Sequence, residues 1–140
     1  MCREALEMNR RVLPPDHPDI IFGAAALSNV LRHLNRLSEA ENLARESLEM
    51  SVRKLGQVHA RTKEAEGALG LALAAQRRWK DAEPLLLSYA RALEAKAGVE
   101  GDFGEVAAQI ADMYTAWEKT DKAAEWRAEL SKPVAQGPAK

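Results

Sequence analysis

The chain has 140 residues, enough for one ordinary domain with its own core. Its 20 basic and 21 acidic residues leave a formal net charge of −1, which removes the electrostatic reason to expect a nucleic acid or an anionic membrane as partner. The single cysteine, Cys2, excludes an internal disulfide and fits a reducing, cytoplasmic setting, while no apolar run reaches the ~18 residues needed to span a bilayer.

Ala, Leu, Glu, Lys and Arg dominate, and no alternating strand pattern is present. In chain order, helices are expected at about 2–12, 18–35, 38–54, 60–76, 79–96, 103–117 and 121–131. The first segment, MCREALEMNR, lacks the apolar stretch of a signal peptide. Pro14, Pro15 and Pro18 separate it from the next helix, and Pro18 suits a first helical turn. Ser38 and Glu41 spell a capping box before the third helix. Gly56 and Gly98 stand where helices should end. Pro84 lies near the start of its helix and is tolerable there. The tail from residue 132 to 140 is expected to fray.

The chain repeats itself. REALEMNRRVL (3–13) and RESLEMSVRKL (45–55) agree at seven of eleven positions, so position 3 recurs at position 45. LPPDHPDI (13–20) maps onto LGQVHART (55–62), and LSEAENLA (37–44) onto WKDAEPLL (79–86), with the same offset. A third copy, TDKAAEWR, sets Ala123 one position short of that offset from Ala82. Each unit reads as two amphipathic helices. The first buries Leu27, Ser28 and Leu31, then Leu69, Gly70 and Leu73, then Ile110, Ala111 and Tyr114. The second buries Ala40, Leu43, Ala44 and Ser47, then Ala82, Leu85, Leu86 and Tyr89, then Ala123, Trp126 and Leu130. The small members Ser28, Gly70 and Ala111 admit a neighbouring helix. Gly70→Ala is therefore expected to be neutral or stabilising and Gly70→Leu destabilising. The chain thus opens on a half unit (1–12), followed by repeats at about 13–54, 55–97 and 98–131.

Several residues invite chemistry. His17 and His59 share the repeat spacing, but adjacent repeats stand about 10 Å apart, too far for a common metal ligand distance near ~2 Å. Capping or packing at a helix start is the expected role. His33 lies away from the core stripe, where it could face a partner. Trp79 and Trp126 fall on packing positions, and Trp117 is expected to cover the last helix pair. Cys2 has no local His or Asp partner, and no phosphate loop, metal motif or nucleophile elbow appears. No enzyme activity and no cofactor are expected.

These small and aromatic positions resemble the tetratricopeptide repeat. The 42-residue period, with PPDHPD, ALSNVL, LGLAL, IADMY, EAENL and DAEPL, is similar to the kinesin-light-chain type. The second copy departs from it at Val58-His59-Ala60, which lacks the proline, and at Glu66, where an apolar or small residue is usual. The resemblance covers residues 1–131 and implies an all-α solenoid of antiparallel helix pairs, about seven helices, forming one repeat domain. It also implies a concave docking groove lined by the first helix of each repeat. The family's pattern places Phe22, Asn29, Arg32 and His33 there from the first repeat, Glu64, Gly67 and Leu71 from the second, and Glu105 and Asp112 from the third. Asn29 falls where chaperone-adaptor repeats hold a peptide backbone or carboxylate, but the accompanying lysines and arginine are absent. A Glu-Glu-Val-Asp type C-terminal peptide is therefore disfavoured.

The expected function is a non-enzymatic protein–protein interaction module that takes a peptide or partner protein in this groove. The alternatives are a regulatory or scaffolding segment of a larger bacterial signalling protein, such as a serine/threonine kinase, and a structural spacer with no ligand. The half repeat at the N-terminus, with Ala5, Leu6, Met8 and Val12 on its inward face, suggests either self-association through that open edge or a chain cut from a longer array.

Overall fold

The computed structural model describes residues 2–12, 17–95 and 101–131. Seven helices run through them: α1 (Cys2–Val12), α2 (Pro18–His33), α3 (Leu37–Leu55), α4 (Ala60–Ala75), α5 (Trp79–Glu94), α6 (Phe103–Ala116) and α7 (Thr120–Ser131). No strand occurs among the described residues. Pro14, Pro15, Gly98 and the tail 132–140 lie outside the described residues, as do the side chains of Cys2, Ala5, Leu6, Val12 and Leu130. The chain divides into two compact units, Met1–Gly101 with α1–α5 and Asp102–Lys140 with α6 and α7.

The repeat is written into the backbone. Each helix pair is joined by the same tight turn, with a left-handed residue at Asn35 (φ 64°), Arg77 (64°) and Glu118 (65°). In each turn the next residue's N–H reaches back to the helix: Arg36 to the Leu31 carbonyl (2.8 Å), Arg78 to Leu73 (3.0 Å), Lys119 to Tyr114 (2.8 Å). This is the Schellman closure, which satisfies the last helical carbonyls. Asn tolerates the left-handed region, whereas Arg77 and Glu118 bear a steric cost of about 1 kcal/mol each. Such short turns force antiparallel neighbours.

The helix starts repeat as well. His17 Nδ1 accepts the Asp19 N–H at 3.0 Å, and His59 Nδ1 accepts the Arg61 N–H at 3.0 Å. In the third copy Asp102 accepts from Gly104 and Glu105. The two histidines are N-caps, as their position before a helix implied. Pro18 takes the first turn of α2. Gly56 closes α3 at φ 95°.

In the first unit α2 packs on α3 and α4, α3 on α4, α4 on α5, and α1 on α2. Contact between α2 and α4, two elements apart, is what stacked helix pairs produce. Ile20, Ile21, Ala24, Leu27 and Leu31 of α2 form one buried cluster with Ala40, Met50 and Ala72. Two serines tie α2 to α3: buried Ser28 donates to the Ala40 carbonyl at 2.7 Å, and buried Ser47 to the Ile21 carbonyl at 2.9 Å. In the second unit α6 and α7 pack together. There the Phe103 and Trp126 rings lie 6.2 Å apart, and Trp117 stacks on Tyr114 at 6.2 Å and 7°.

Three expectations change. The Ser38–Glu41 capping box does not form, because the left-handed turn at Asn35 makes Arg36 the N-cap of α3, and no side chain caps it. Glu41 instead accepts from Arg45 (2.6 Å), Gln76 (3.0 Å) and Arg78 (2.9 Å). The Arg45 hydrogen bond first, then that of Gln76, holds its carboxyl below the usual carboxylate range, against the opposing effect of burial. Helix α5 continues through Pro84, its sixth residue, as its expected limits allowed. Gly70 is packed more tightly than the propensity argument assumed. A Cβ there would lie 2.9 Å from Leu86 Cγ and 3.2 Å from Leu85 Cβ, so even alanine forces Leu86 to shift. Gly67, placed by the repeat pattern in the groove, is buried, and a Cβ on it would lie 2.6 Å from Tyr89 Cγ.

Glu66 is buried, as its inward position required, but not alone. Its carboxylate accepts from Ser88 Oγ at 2.6 Å, and Lys63 Nζ stands 3.5 Å away and donates to the same serine. A charge in a helix interface persists only with such partners.

Candidate docking face

Helix α2 turns two faces to its surroundings. Leu27 and Leu31 point into the core with Ser28, and Phe22, Asn29 and His33 lie on the opposite side. Phe22 is 47% exposed, a large apolar ring left uncovered at the start of its helix. The Arg61 guanidinium of α4 lies over it, 4.7 Å from the ring centroid. The same Arg61 donates to Glu64 Oε1 at 2.8 Å, one helical turn on. Phe22, Arg61 and Glu64 thus form a cation–π and ion-pair bridge across the seam between α2 and α4. Arg61 was not among the expected groove residues. Its only local signal is the i,i+3 spacing to Glu64.

Two turns beyond Phe22, Asn29 is half-buried, and its Oδ1 has no hydrogen-bond partner although it is buried. A buried acceptor left unmatched is costly. Its counterpart in the next repeat is Leu71, half-buried on α4. Arg32 Nη2 lies 3.5 Å from His33 Nε2 near the end of α2. The first unit therefore gathers Phe22, Asn29, Arg32 and His33 on α2, with Arg61, Glu64 and Leu71 on α4. Glu105 and Asp112 belong to the second unit. Both are exposed on α6, two turns apart, and Asp112 pairs with Arg127 of α7 at 3.6 Å.

A cleft of about 200 Å³ opens elsewhere in the first unit, between α1, α2 and α3, with Leu27, Leu31 and Leu43 at its floor and Arg3, Glu7 and Arg10 at its rim. None of the expected groove residues lines it. Among the described residues no cluster of three or more His, Cys, Asp or Glu side chains is arranged to hold a metal. Among them, too, no helix is long and apolar enough to cross a membrane.

Residues 1–19 and 24–61 match the tetratricopeptide repeat family. That match supports a tetratricopeptide-repeat array and does not distinguish the kinesin-light-chain subtype. Comparison with curated proteins gave no match.

Proposed function

We propose that this tetratricopeptide-repeat array is a non-enzymatic docking module whose α2–α4 face receives a peptide segment of a partner protein. Tetratricopeptide repeats generally mediate protein–protein interaction. The observation that carries the reading here is the exposed Phe22 ring under the Arg61 guanidinium. Aromatic and arginine side chains are enriched in protein interfaces, where a few such anchors carry most of the binding energy. Asn29, two turns further along α2, would offer polar contact. Arg32 and His33 would take acidic groups at one end of the ligand, Glu64 would orient Arg61, and Leu71 would offer apolar contact. On α6, Glu105 and Asp112 would offer acidic contacts. Self-association through the N-terminal edge belongs to the same proposal, with Met8 of α1 62% exposed there.

A random extended-peptide library screened on the full chain tests the groove. Binders are expected to lose at least about tenfold in affinity with Phe22→Ala or Arg61→Ala, and to keep it with Glu49→Ala, an exposed residue of α3. Binders indifferent to Phe22 and Arg61, or none at all, would sink the reading.

A further inference from the structure

The second helices of successive units carry a charge pattern that the α2–α4 face does not use. Helices α1 and α3 are bridged by two ion pairs, Arg3–Glu39 at 3.8 Å and Arg10–Glu46 at 2.8 Å. The partners of each pair stand 36 positions apart. Between these two rungs the same offset sets Glu7 of α1 against Leu43 of α3. Glu7 is exposed and has no hydrogen-bond or ion-pair partner among the described residues. Beneath it lies the cleft of about 200 Å³ whose floor is Leu27, Leu31 and Leu43. The ion pairs close this notch at both ends. The same notch is spelled one repeat on. Glu49 of α3 stands in the place of Glu7, and Leu69, Leu73 and Leu85 stand in the places of the three leucines. Glu49 is likewise exposed and without a partner among the described residues, while Leu69 and Leu73 are buried. This second copy lies inside the array and owes nothing to the chain's first helix. The arginines around both notches are already matched: Arg36 by Glu39 at 2.7 Å, Arg45 by Glu41 at 2.6 Å and Arg78 by Asp81 at 3.5 Å, besides Arg3 and Arg10. The unmatched charge is in each case the glutamate.

We infer that the two notches form a docking surface for an extended basic segment of a partner protein, with one lysine or arginine side chain entering each notch. Charge complementarity selects this occupant. A cationic head answers Glu7 and Glu49, and an aliphatic stem answers the leucine floor. Lysine and arginine lay their methylene stems on apolar surface while the charged head stays in water. An acidic segment would meet a like charge, and a purely apolar one would leave the carboxylate unmatched. Spacing narrows the class further. Adjacent repeats stand about 10 Å apart. A polyproline II chain advances roughly 3.1 Å per residue with three residues per turn, so its side chains at i and i+3 point the same way, about 9 Å apart. The ligand class is therefore a basic, proline-rich segment with the pattern Lys-x-x-Lys. The surface is separate from the α2–α4 face, since none of the residues proposed for peptide docking lines the cleft.

Nuclear magnetic resonance titration of the labelled full chain with the peptide acetyl-Lys-Pro-Pro-Lys-amide at low salt tests the inference. The peptide is expected to shift the methyl signals of Leu43 and Leu85 and to dissociate as salt is raised. Glu7→Gln and Glu49→Gln are each expected to weaken binding about threefold and together to remove it, with an unchanged helical circular dichroism spectrum. Both positions are exposed, so neither substitution threatens the fold. The peptide with glutamate in place of both lysines, and the one with uncharged norleucine, are expected not to bind. A lysine peptide that binds the double variant as well as the wild type overturns the inference. So does equal binding of the norleucine peptide, which would make the cleft a merely apolar surface. Absence of any shift at Leu43 and Leu85 up to about 10 mM peptide, a range that covers even millimolar affinity, overturns it too. None of these outcomes touches the α2–α4 reading, whose binders depend on Phe22 and Arg61.

Discussion

The first and second repeats are the same device with bulk exchanged between the facing helices at two pairs of positions. In the first, α2 carries Ile20, Ile21, Leu27 and Leu31, and α3 answers with Ala40, Ala44 and Ser47. In the second, α4 keeps Leu69 and Leu73 but has Gly67 and Gly70 where α2 has Ala25 and Ser28, and α5 answers with Leu86 and Tyr89. The exchange is visible pair by pair at equivalent positions. Ala25 and Ser47 become Gly67 and Tyr89, and Ser28 and Ala44 become Gly70 and Leu86. Turns and caps stay constant, because backbone hydrogen bonds fix the register. The interior need only fill the space between two helices, so volume is conserved for the pair and not for the position.

The sharpest break of this comparison puts bulk back on α4. Gly67→Ala drives a methyl into the Tyr89 ring and is expected to cost about 2–3 kcal/mol by urea denaturation. Tyr89→Ser alone opens a cavity and costs about 3 kcal/mol. The double variant, which rebuilds the Ala–Ser pair of the first repeat, should fall short of the sum of the two by at least ~1 kcal/mol. Additive losses would mean that the two side chains do not share one space.

Gly70 gives the next effect. Leucine there is expected to cost about 2 kcal/mol net and alanine about 1, because the displacement of Leu86 outweighs the gain of about 1 kcal/mol in helix propensity. A stabilised Gly70→Ala in the same denaturation series would restore the simpler propensity argument.

Glu41 joins the two repeats, since Arg45 lies in the first and Gln76 and Arg78 in the second. Glu41→Gln is expected to cost about 1–2 kcal/mol at neutral pH. The folded carboxyl titrates below its ordinary value of 4.5, so its contribution is fully present above about that pH and lost as the pH falls through the folded pKa. The difference in Tm between wild type and variant should therefore close below about pH 4.5. A gap that persists far below that pH would assign the loss to packing instead of charge.

Two smaller substitutions test what the repeats hold in common. His59→Ala should cost about 1 kcal/mol and His59→Asp almost nothing, because Asp102 already performs the same capping in the third copy. Equal losses would mean that the cap contributes nothing. At the turns, Arg77→Gly should stabilise by about 0.5 kcal/mol, the relief of left-handed strain less the added freedom of the unfolded chain. Asn35→Gly should gain less, since asparagine already accepts that conformation.

Much of the architecture was local and therefore open to reading in the sequence by itself. Seven helices, their limits to within a couple of positions, the burial of Leu27, Ser28 and Leu31 and their counterparts, and the capping role of His17 and His59 all follow from periodicity and from groups that act within one turn. The tertiary structure decided whatever depends on a partner far along the chain. Arg61 of α4 reaches back to Phe22 of α2, Glu41 of α3 meets Gln76 and Arg78 beyond α4, and Tyr89 of α5 covers Gly67 of α4. Glu41 looked like a helix cap and Gly67 like groove wall because spacing alone reports which face of a helix a residue occupies. It does not report which side chain of the neighbouring helix stands opposite, and that is settled only when two helices compete for one volume.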